Sequence, residues 1–342
     1  MKILIIGGTH FIGPPVIRYL FEAGHEVMVF HRGQTQAELP SAVNHLLGNR
    51  HDLRQYRSQI EQFGPEVVLD MIPYTQQDAE TVIDTVRGMA VRIVAISSQD
   101  VYRARDIVWG METGVLDPTP LTENAPLRQH LYPYQKAAIR PLGVPADYDK
   151  IRVEKTYLNC PDIATTILRL PMVYGPGDPL HRFYAALHRM QQGRSTLSMM
   201  KELAHWRCSY GYVENVAWAI ALAVQHRAVN TCVYNVAEPN PMSELERLTL
   251  LGNLARWLGT INLVEQEQLP ATARLPFNLQ QDWVMDSTRI RRELDYREPV
   301  DLTAALTRTL QWELAHPPAN VAQSAGAAFL LADDLKLALA EN

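Results

Sequence analysis

At 342 residues and 47% hydrophobic, the chain can bury a full core as one large or two interlocked domains. A formal net charge of −5 and a pI near 6.1 leave no polyanion footprint, which disfavours nucleic acid as a partner. The three cysteines, Cys160, Cys208 and Cys232, lie far apart and match neither a disulfide framework nor zinc spacing; no metal site is expected, and a reducing cytoplasm is.

The first apolar run, Ile3 to Ile6, reads as a buried strand and leaves no room for a signal peptide. No apolar run approaches the roughly 20 residues that cross a bilayer, so no membrane association is expected. Gly7-Gly8-Thr9-His10-Phe11-Ile12-Gly13 follows at once, and helical periodicity runs from Phe11 to Ala23, closed by Gly24. Pro14 and Pro15 fall in the first turn, where a missing N–H has no intrahelical partner to lose. With a second strand over Glu26 to Phe30, this is a βαβ unit of about 30 residues. Such a turn aims backbone amides and the positive end of a helix at a phosphate. Gly7 serves the tight turn and Gly13 the close approach of helix to sheet, while His10 stands where a second phosphate-facing glycine is expected.

A dinucleotide fold that prefers NAD usually ends this second strand in an acid, on the ribose 2′-hydroxyl. Here it reads His31-Arg32-Gly33, with no acid before Glu38. Arg32 offers a planar fork of donors to a 2′-phosphate, and His10 can reach the same way. NADP(H) is therefore expected over NAD(H), an exposed loop arginine being the plainer reading of Arg32.

Alternation continues: strand 43–47, helix 52–63 ended by Gly64-Pro65, strand 67–72, helix 76–86, strand 91–97. Repeated βα units with apolar strands predict an α/β fold, a Rossmann-type doubly wound parallel sheet covered on both faces. Ligands in such sheets lie outside the strand C-termini, where Gly7, Arg32, Asn49, Met71, Ile72, Ser97 and Ser98 all fall. Residues 111–146 carry six prolines and no sustained periodicity, which predicts a long irregular loop. Beyond it come helix 148–159, strand 163–170, helix 179–192, helix 213–225, strand 231–236, and helix 243–258 with a capping box from Ser243 and Glu246. A strand near 261–264 and helices 287–294 and 302–314 complete the body. Pro317-Pro318 ends it, and the Ala/Leu-rich tail to Asn342 is either one helix or frayed.

Five stretches, in order, resemble the extended short-chain dehydrogenase/reductase family, the NAD(P)-dependent sugar epimerases and dehydratases. They are the opening glycine turn (GGxGFIG), Ser97-Ser98-Gln99-Asp100-Val101-Tyr102 (SSxxVYG), Leu168 to Gly177 (LRxxnVYGPG), Tyr212 to Ala217 (HVxDVA), and Asp286 to Leu294 before the last helices. The resemblance implies a dinucleotide-binding domain over 1–172 plus about 213–240, and a smaller, mostly C-terminal substrate domain over 173–212 plus 241–316. It implies a cofactor held by Gly7, Thr9, His10, Phe11, Ile12, Gly13, Arg32, Asn49, Met71, Ile72 and Lys150. It also implies a serine–tyrosine–lysine site acting by hydride exchange at a secondary alcohol or ketone of a nucleotide-linked sugar.

Ser98 matches the family's serine. Lys150 and Glu154 keep its lysine-to-glutamate spacing, but Ala146 then occupies the tyrosine position of YxxxK. Tyr148 precedes Lys150 by two residues, about 200° around an ideal helix, so the two converge only if Tyr148 lies before the first regular turn. Tyr134 from the loop is an alternative. Tyr132-Pro133-Tyr134-Gln135-Lys136 fits YxxxK literally but has a proline inside it, and loss of the tyrosine altogether stays open. Arg207, Tyr212 and Arg274 are candidate substrate contacts, arginine pairing well with diphosphate. Helices 76–86 and 148–159 are the expected faces of a homodimer. The rival reading is a non-enzymatic NADP-binding protein of the same fold, regulatory or RNA-binding. The family's chloroplast stem-loop RNA-binding proteins also carry a long residue at the middle glycine.

Overall fold

The opening run forms β1 (Lys2–Ile6), whose successive side chains enter different cores. Ile3 and Ile5 pack with Val16, Ile17 and Leu20 of α1 (Gly13–Glu22), whereas Leu4 and Ile6 pack with Val82, Val86, Val153 and Tyr157. A strand apolar on both faces needs cover on both, and the chain supplies it. The fold is a computed structural model describing residues 1–90, 92–135, 143–226, 230–270, 274–321, 324–325 and 330.

The main sheet adds β2 (Glu26–His31), β3 (Asn44–Leu47), β4 (Val67–Asp70), β5 (Arg92–Ser98), β6 (Ala164–Leu170) and, late in the chain, β10 (Cys232–Asn235). Its seven strands are all parallel, in the order β10-β6-β5-β4-β1-β2-β3. The chain runs outward from β1 through β2 to β3, then returns to β4 on the other side of β1. The order therefore reverses between β1 and β4, and the crevice for a ligand opens at their C-terminal ends, beside Gly7 and beside Asp70 to Ile72. This is the Rossmann-type doubly wound sheet that the pattern predicts.

The helices α3 (Gln76–Val86) and α8 (Val213–Gln225) coincide with the expected spans, and Ser243 and Glu246 form the expected capping box at the start of α9 (Glu244–Leu254). Other boundaries move for local reasons. Phe11 has φ 41° and stays in the turn, so α1 opens at Gly13. Helix 52–63 splits into a 3-10 helix, Arg50–Tyr56, and α2 (Arg57–Phe63). Asp149 caps α5 (Lys150–Leu158), two residues later than periodicity suggests. Helix 179–192 shortens to α6 (Tyr184–Gln191) because Asp178 folds back on the amides of Leu180 and Arg182.

Periodicity misses α4 (Arg103–Val108), β7 (Met172–Tyr174), β8 (Thr196–Met200), α7 (Lys201–His205) and β9 (Tyr210–Tyr212), all too short to show a period. β7 pairs with β9 in one small parallel sheet, and β8 with β11 (Thr260–Val264) in another. α10 (Thr288–Leu294) and α11 (Leu302–Ala315) follow. The described part of the proline-rich segment is irregular, tied down by isolated bridges Tyr102↔Leu127 and Leu121↔Met285. Val91, Lys136 and most of the tail beyond Val321 lie outside the described residues. Among the described residues no helix is long and apolar enough to cross a membrane.

Candidate functional site

The turn after β1 is fixed by backbone demands. Gly7 and Gly8 have φ of +83° and +86°, a region that costs an L side chain strain. A Cβ on Gly13 would stand 2.0 Å from the carbonyl oxygen of Gly8, so only glycine lets α1 start there. Gly7 donates to the carbonyl of Phe30 at 2.9 Å, and Gly13 to that of His10 at 2.9 Å. Among the described residues, the amides of Thr9, His10, Phe11 and Ile12 make no backbone hydrogen bond, which leaves a cluster of donors at a helix N-terminus. Ile72 walls the turn at Gly7, Met71 lies against Gly8, and the ring of Phe11 faces Gly177. His10 is exposed.

Beside this turn, the end of β2 holds a histidine pair in place of an acid. Gly33 donates its amide to Nδ1 of His31, so Nε2 of a neutral His31 donates to Nδ1 of His45, at 2.9 Å. Partial burial, with His45 adding, holds the pKa of His31 below its ordinary value. Arg32 is exposed, and among the described residues it makes no hydrogen bond or ion pair. Asn49 caps the 3-10 helix by accepting from the amide of His51 at 3.1 Å.

The next residue, Arg50, is one that sequence reasoning missed. Its guanidinium binds both oxygens of buried Asp70 at 3.1 Å, the carbonyl of Ile72 at 2.6 Å and Asp78 at 2.9 Å. Burial opposes its charge, but Asp70 and Asp78 outweigh burial and hold its pKa above normal. Tyr157 donates to Asp70 at 2.7 Å from α5. A carboxylate closing the apolar strand Val67-Val68-Leu69-Asp70 was the available signal, since a buried acid demands a partner.

At the end of β5, the Oγ of Ser98 accepts the amide of Asp100 at 3.2 Å and so caps the following 3-10 turn. Ser97 donates to Glu154 at 2.5 Å, inside a buried network of Glu154, Arg169, Tyr102 and Asn235. Tyr148 lies before the first turn of α5, as convergence with Lys150 requires, and the ammonium stands 5.9 Å from its ring centroid. The hydroxyl of Tyr148, however, donates to Asp100 at 2.7 Å, while Lys150 donates to the carbonyls of Pro73 and Ile96 at 2.7 and 2.9 Å. Burial, then Asp100, pushes the pKa of Tyr148 well above its ordinary value, so this phenol is held protonated. Burial pulls Lys150 down to about 8, against the attraction of Asp70 and Asp100. The second oxygen of Asp100, Oδ1, is buried without a hydrogen-bond partner among the described residues.

Tyr74 and Tyr134 pack on Tyr148 with centroids 5.9 and 5.4 Å away. The literal YxxxK reading ends at Lys136, outside the described residues. Arg128 binds the carbonyl of Asp100 at 2.9 Å and forms a fully buried ion pair with Asp149, thereby fastening the irregular segment to this site. No periodicity announced it.

The expected substrate-side residues are not gathered in the same way. Arg207 is engaged by the carbonyl of Pro241 at 2.6 Å and by Glu246 at 2.9 Å. Arg274 binds carbonyls of Leu269 and Glu267 within its own loop. Tyr212 is buried against Gly175, its ring centroid 5.7 Å from that of Tyr174.

The model of the NAD dependent epimerase/dehydratase family matches residues 3–237. The chain belongs to that family. Over 130 residues it is 31% identical to the chloroplast stem-loop binding protein of 41 kDa b of Arabidopsis thaliana, covering 34% of each protein. Over 98 residues it is 30% identical to 2′-dehydrokanamycin reductase of Streptomyces kanamyceticus, covering 29% of this chain and 28% of the relative. The chain thus spans about a third or less of the length of the curated relatives it matches.

Solved structures share the fold. A UDP-glucose 4-epimerase of Thermotoga maritima, solved with UDP-glucose, superimposes with a TM-score of 0.65 at 17% identity, over 92% of this chain and 99% of that one. A dTDP-glucose 4,6-dehydratase of Bacillus anthracis, solved with NAD, gives 0.66 at 16% identity, over 93% and 97%. At such identity the likeness concerns the fold.

Proposed function

We propose that the chain is an NAD(P)-dependent oxidoreductase exchanging a hydride at a secondary alcohol or ketone carbon of a nucleotide-linked sugar. One observation carries this reading: the hydrogen-bonded pair Tyr148–Asp100 and the buried Lys150 share the strand-end face of the sheet with the glycine turn. The residues fit a dinucleotide. The turn offers amides without a backbone partner among the described residues for a pyrophosphate, Met71 and Ile72 wall it, and Lys150, now donating to the carbonyls of Pro73 and Ile96, would hold the nicotinamide ribose. The free guanidinium of Arg32, with no acid at the end of β2, favours NADP(H) over NAD(H).

The bound nicotinamide supplies the acceptor or donor of the hydride. For the proton, Tyr148 passes its own to Asp100 Oδ2 while taking one from the substrate hydroxyl, or the reverse onto a ketone oxygen. That relay never needs a free tyrosinate, which suits a phenol held protonated. Neighbours named for UDP-glucose and dTDP-glucose support a nucleotide-linked sugar as substrate. A homodimer through α3 and α5, and a cytoplasmic site of action, belong to the same proposal.

The test is to add UDP-, dTDP- and GDP-sugars to the NADP- or NAD-loaded chain, following reduced-nicotinamide absorbance and thermal stabilisation. We expect one sugar class to give both, with the absorbance change lost in Tyr148→Phe. Neither signal from any sugar would overturn the reading. A second reading rests on the similarity to the stem-loop binding protein: cofactor binding with RNA binding and no turnover. A salt-dependent RNA gel shift without hydride exchange would decide for it.

A further inference from the structure

Around α9 lies a second group of buried polar atoms that the proton relay does not use. Arg247 of α9 is 1% exposed, yet Nε, Nη1 and Nη2 all lack a hydrogen-bond partner among the described residues. Its nearest carboxylate oxygen, on Glu238, is 4.0 Å away, and its guanidinium carbon stands 3.7 Å from the centroid of the Tyr210 ring. Glu244, three residues earlier on the same helix face, is 6% exposed, with Oε1 unpartnered. Cys208 connects the group to the end of β5: its sulfur accepts from Nε2 of Gln99 at 3.6 Å, and the charges of Glu244 and Arg247 both act on its thiol. Gln99 is itself buried, Oε1 without a partner, and it lies in sequence between Ser98 and Asp100. Glu238 accepts from Tyr174 at 2.8 Å.

Such a set is costly in an interior. A guanidinium has five donors in a rigid fork, and burying it without hydrogen bonds is strongly disfavoured. The free carboxylate and amide oxygens carry the same penalty as acceptors. Burial raises the pKa of Glu244, with Arg247 and Tyr210 opposing, as expected for an acid short of donors. What would satisfy the group is limited by its mixed character. A phosphate or carboxylate would serve the fork of Arg247 but turn its charge toward Glu244 and Glu238. An ammonium would serve the acceptors but face the guanidinium, and a hydrocarbon serves none. A hydroxyl both donates and accepts, so adjacent hydroxyls can take from Arg247 and give to Glu244 and Gln99 at once.

We propose that Arg247, Glu244 and Gln99 form the subsite that reads the vicinal hydroxyls of a pyranose ring, with Tyr210 holding the guanidinium flat. This rests on the reading of the substrate as a sugar, and goes further by placing the ring, not the diphosphate, against Arg247. Binding inserts hydroxyls between α9 and the turn after β5, next to the Tyr148–Asp100 pair.

The test uses the full NADP-loaded chain with ¹⁵N-labelled arginine. The Arg247 Nε–H signal is identified by its loss in Arg247→Lys; the ring-current displacement imposed by Tyr210 marks it in the unsubstituted chain should that variant not fold. Methyl pyranosides of glucose, galactose and mannose, inorganic phosphate and methylammonium are titrated in turn. We expect at least one pyranoside to shift the Arg247 signal saturably, phosphate and methylammonium to leave it in place, and Glu244→Gln to weaken the pyranoside response at least about tenfold. A shift with phosphate or methylammonium alone, or with no probe, overturns the subsite. Failure of the hydride-transfer reading is seen separately, as absence of nicotinamide turnover while the Arg247 titration stands.

Discussion

The glycine turn and the Tyr148 end face the same crevice but are made of different material. At the turn, backbone geometry does the work: φ of +83° and +86° at Gly7 and Gly8, and a Gly13 that leaves no room for a Cβ. Around Tyr148, buried side chains do it: Asp100 from the turn after β5, Arg128 from the irregular segment, and Asp149 and Lys150 from the start of α5. A backbone site is specified by a few adjacent residues and fails as a unit. A side-chain site is assembled over long range, so its parts can be changed one at a time.

The sharpest way to break this contrast is Gly13→Ala. With a Cβ 2.0 Å from the carbonyl of Gly8, the turn must open. We expect a stability loss on the order of 3 kcal/mol or more and at least about a hundredfold loss of cofactor affinity, read by denaturant unfolding and calorimetric titration. Retained affinity would show that the turn is not the cradle.

Tyr148→Phe should act on one step only. It removes the hydroxyl bound to Asp100 and is expected to lower hydride exchange by roughly 10²–10⁴-fold, with cofactor affinity within about twofold of the parent. Equal losses in both would join the two regions that the contrast separates.

Lys150→Met sharpens the contrast through pH. A lysine lowered from 10.5 to about 8 has shed its proton in the folded chain while the unfolded chain still holds it. The parent therefore gains stability relative to Lys150→Met as pH rises from about 8 to 10.5, by on the order of 3 kcal/mol in all, and below pH 8 the difference is flat. Denaturant midpoints of both proteins across that range check the sign. The smallest effect is expected at Arg32→Asp: about a tenfold loss of NADP(H) affinity, or 1.4 kcal/mol, with NAD(H) little changed.

The same contrast explains what was legible beforehand. The turn announced itself because its demands fall on neighbouring residues, and α3, α8 and the capping box of α9 did so because period and cap chemistry are local. The position of Tyr148 before the first turn of α5 was readable only as a condition, which Asp149 meets by capping that helix. Asp100 stood inside a recognised motif without drawing notice, since nothing nearby in sequence reveals that a tyrosine 48 residues on will donate to it. Arg50 was signalled only indirectly, by the buried acid Asp70 that needs a partner, and Arg128 not at all: each holds its place through partners from other elements. Arg207 and Arg274 were chosen for their charge, and charge alone does not show that local carbonyls already occupy it.

The buried pair of Arg128 and Asp149 carries a consequence for how this chain can vary. Arg128 also holds the carbonyl of Asp100, so one rivet joins the proline-rich segment, the start of α5 and the end of β5. The described part of that segment owes its anchorage to this rivet, to isolated bridges at Leu121 and Leu127 and to side-chain clasps such as Asp117 on Arg103, and not to regular pairing. A protease that cuts the segment between two of these clasps should therefore leave both fragments held together.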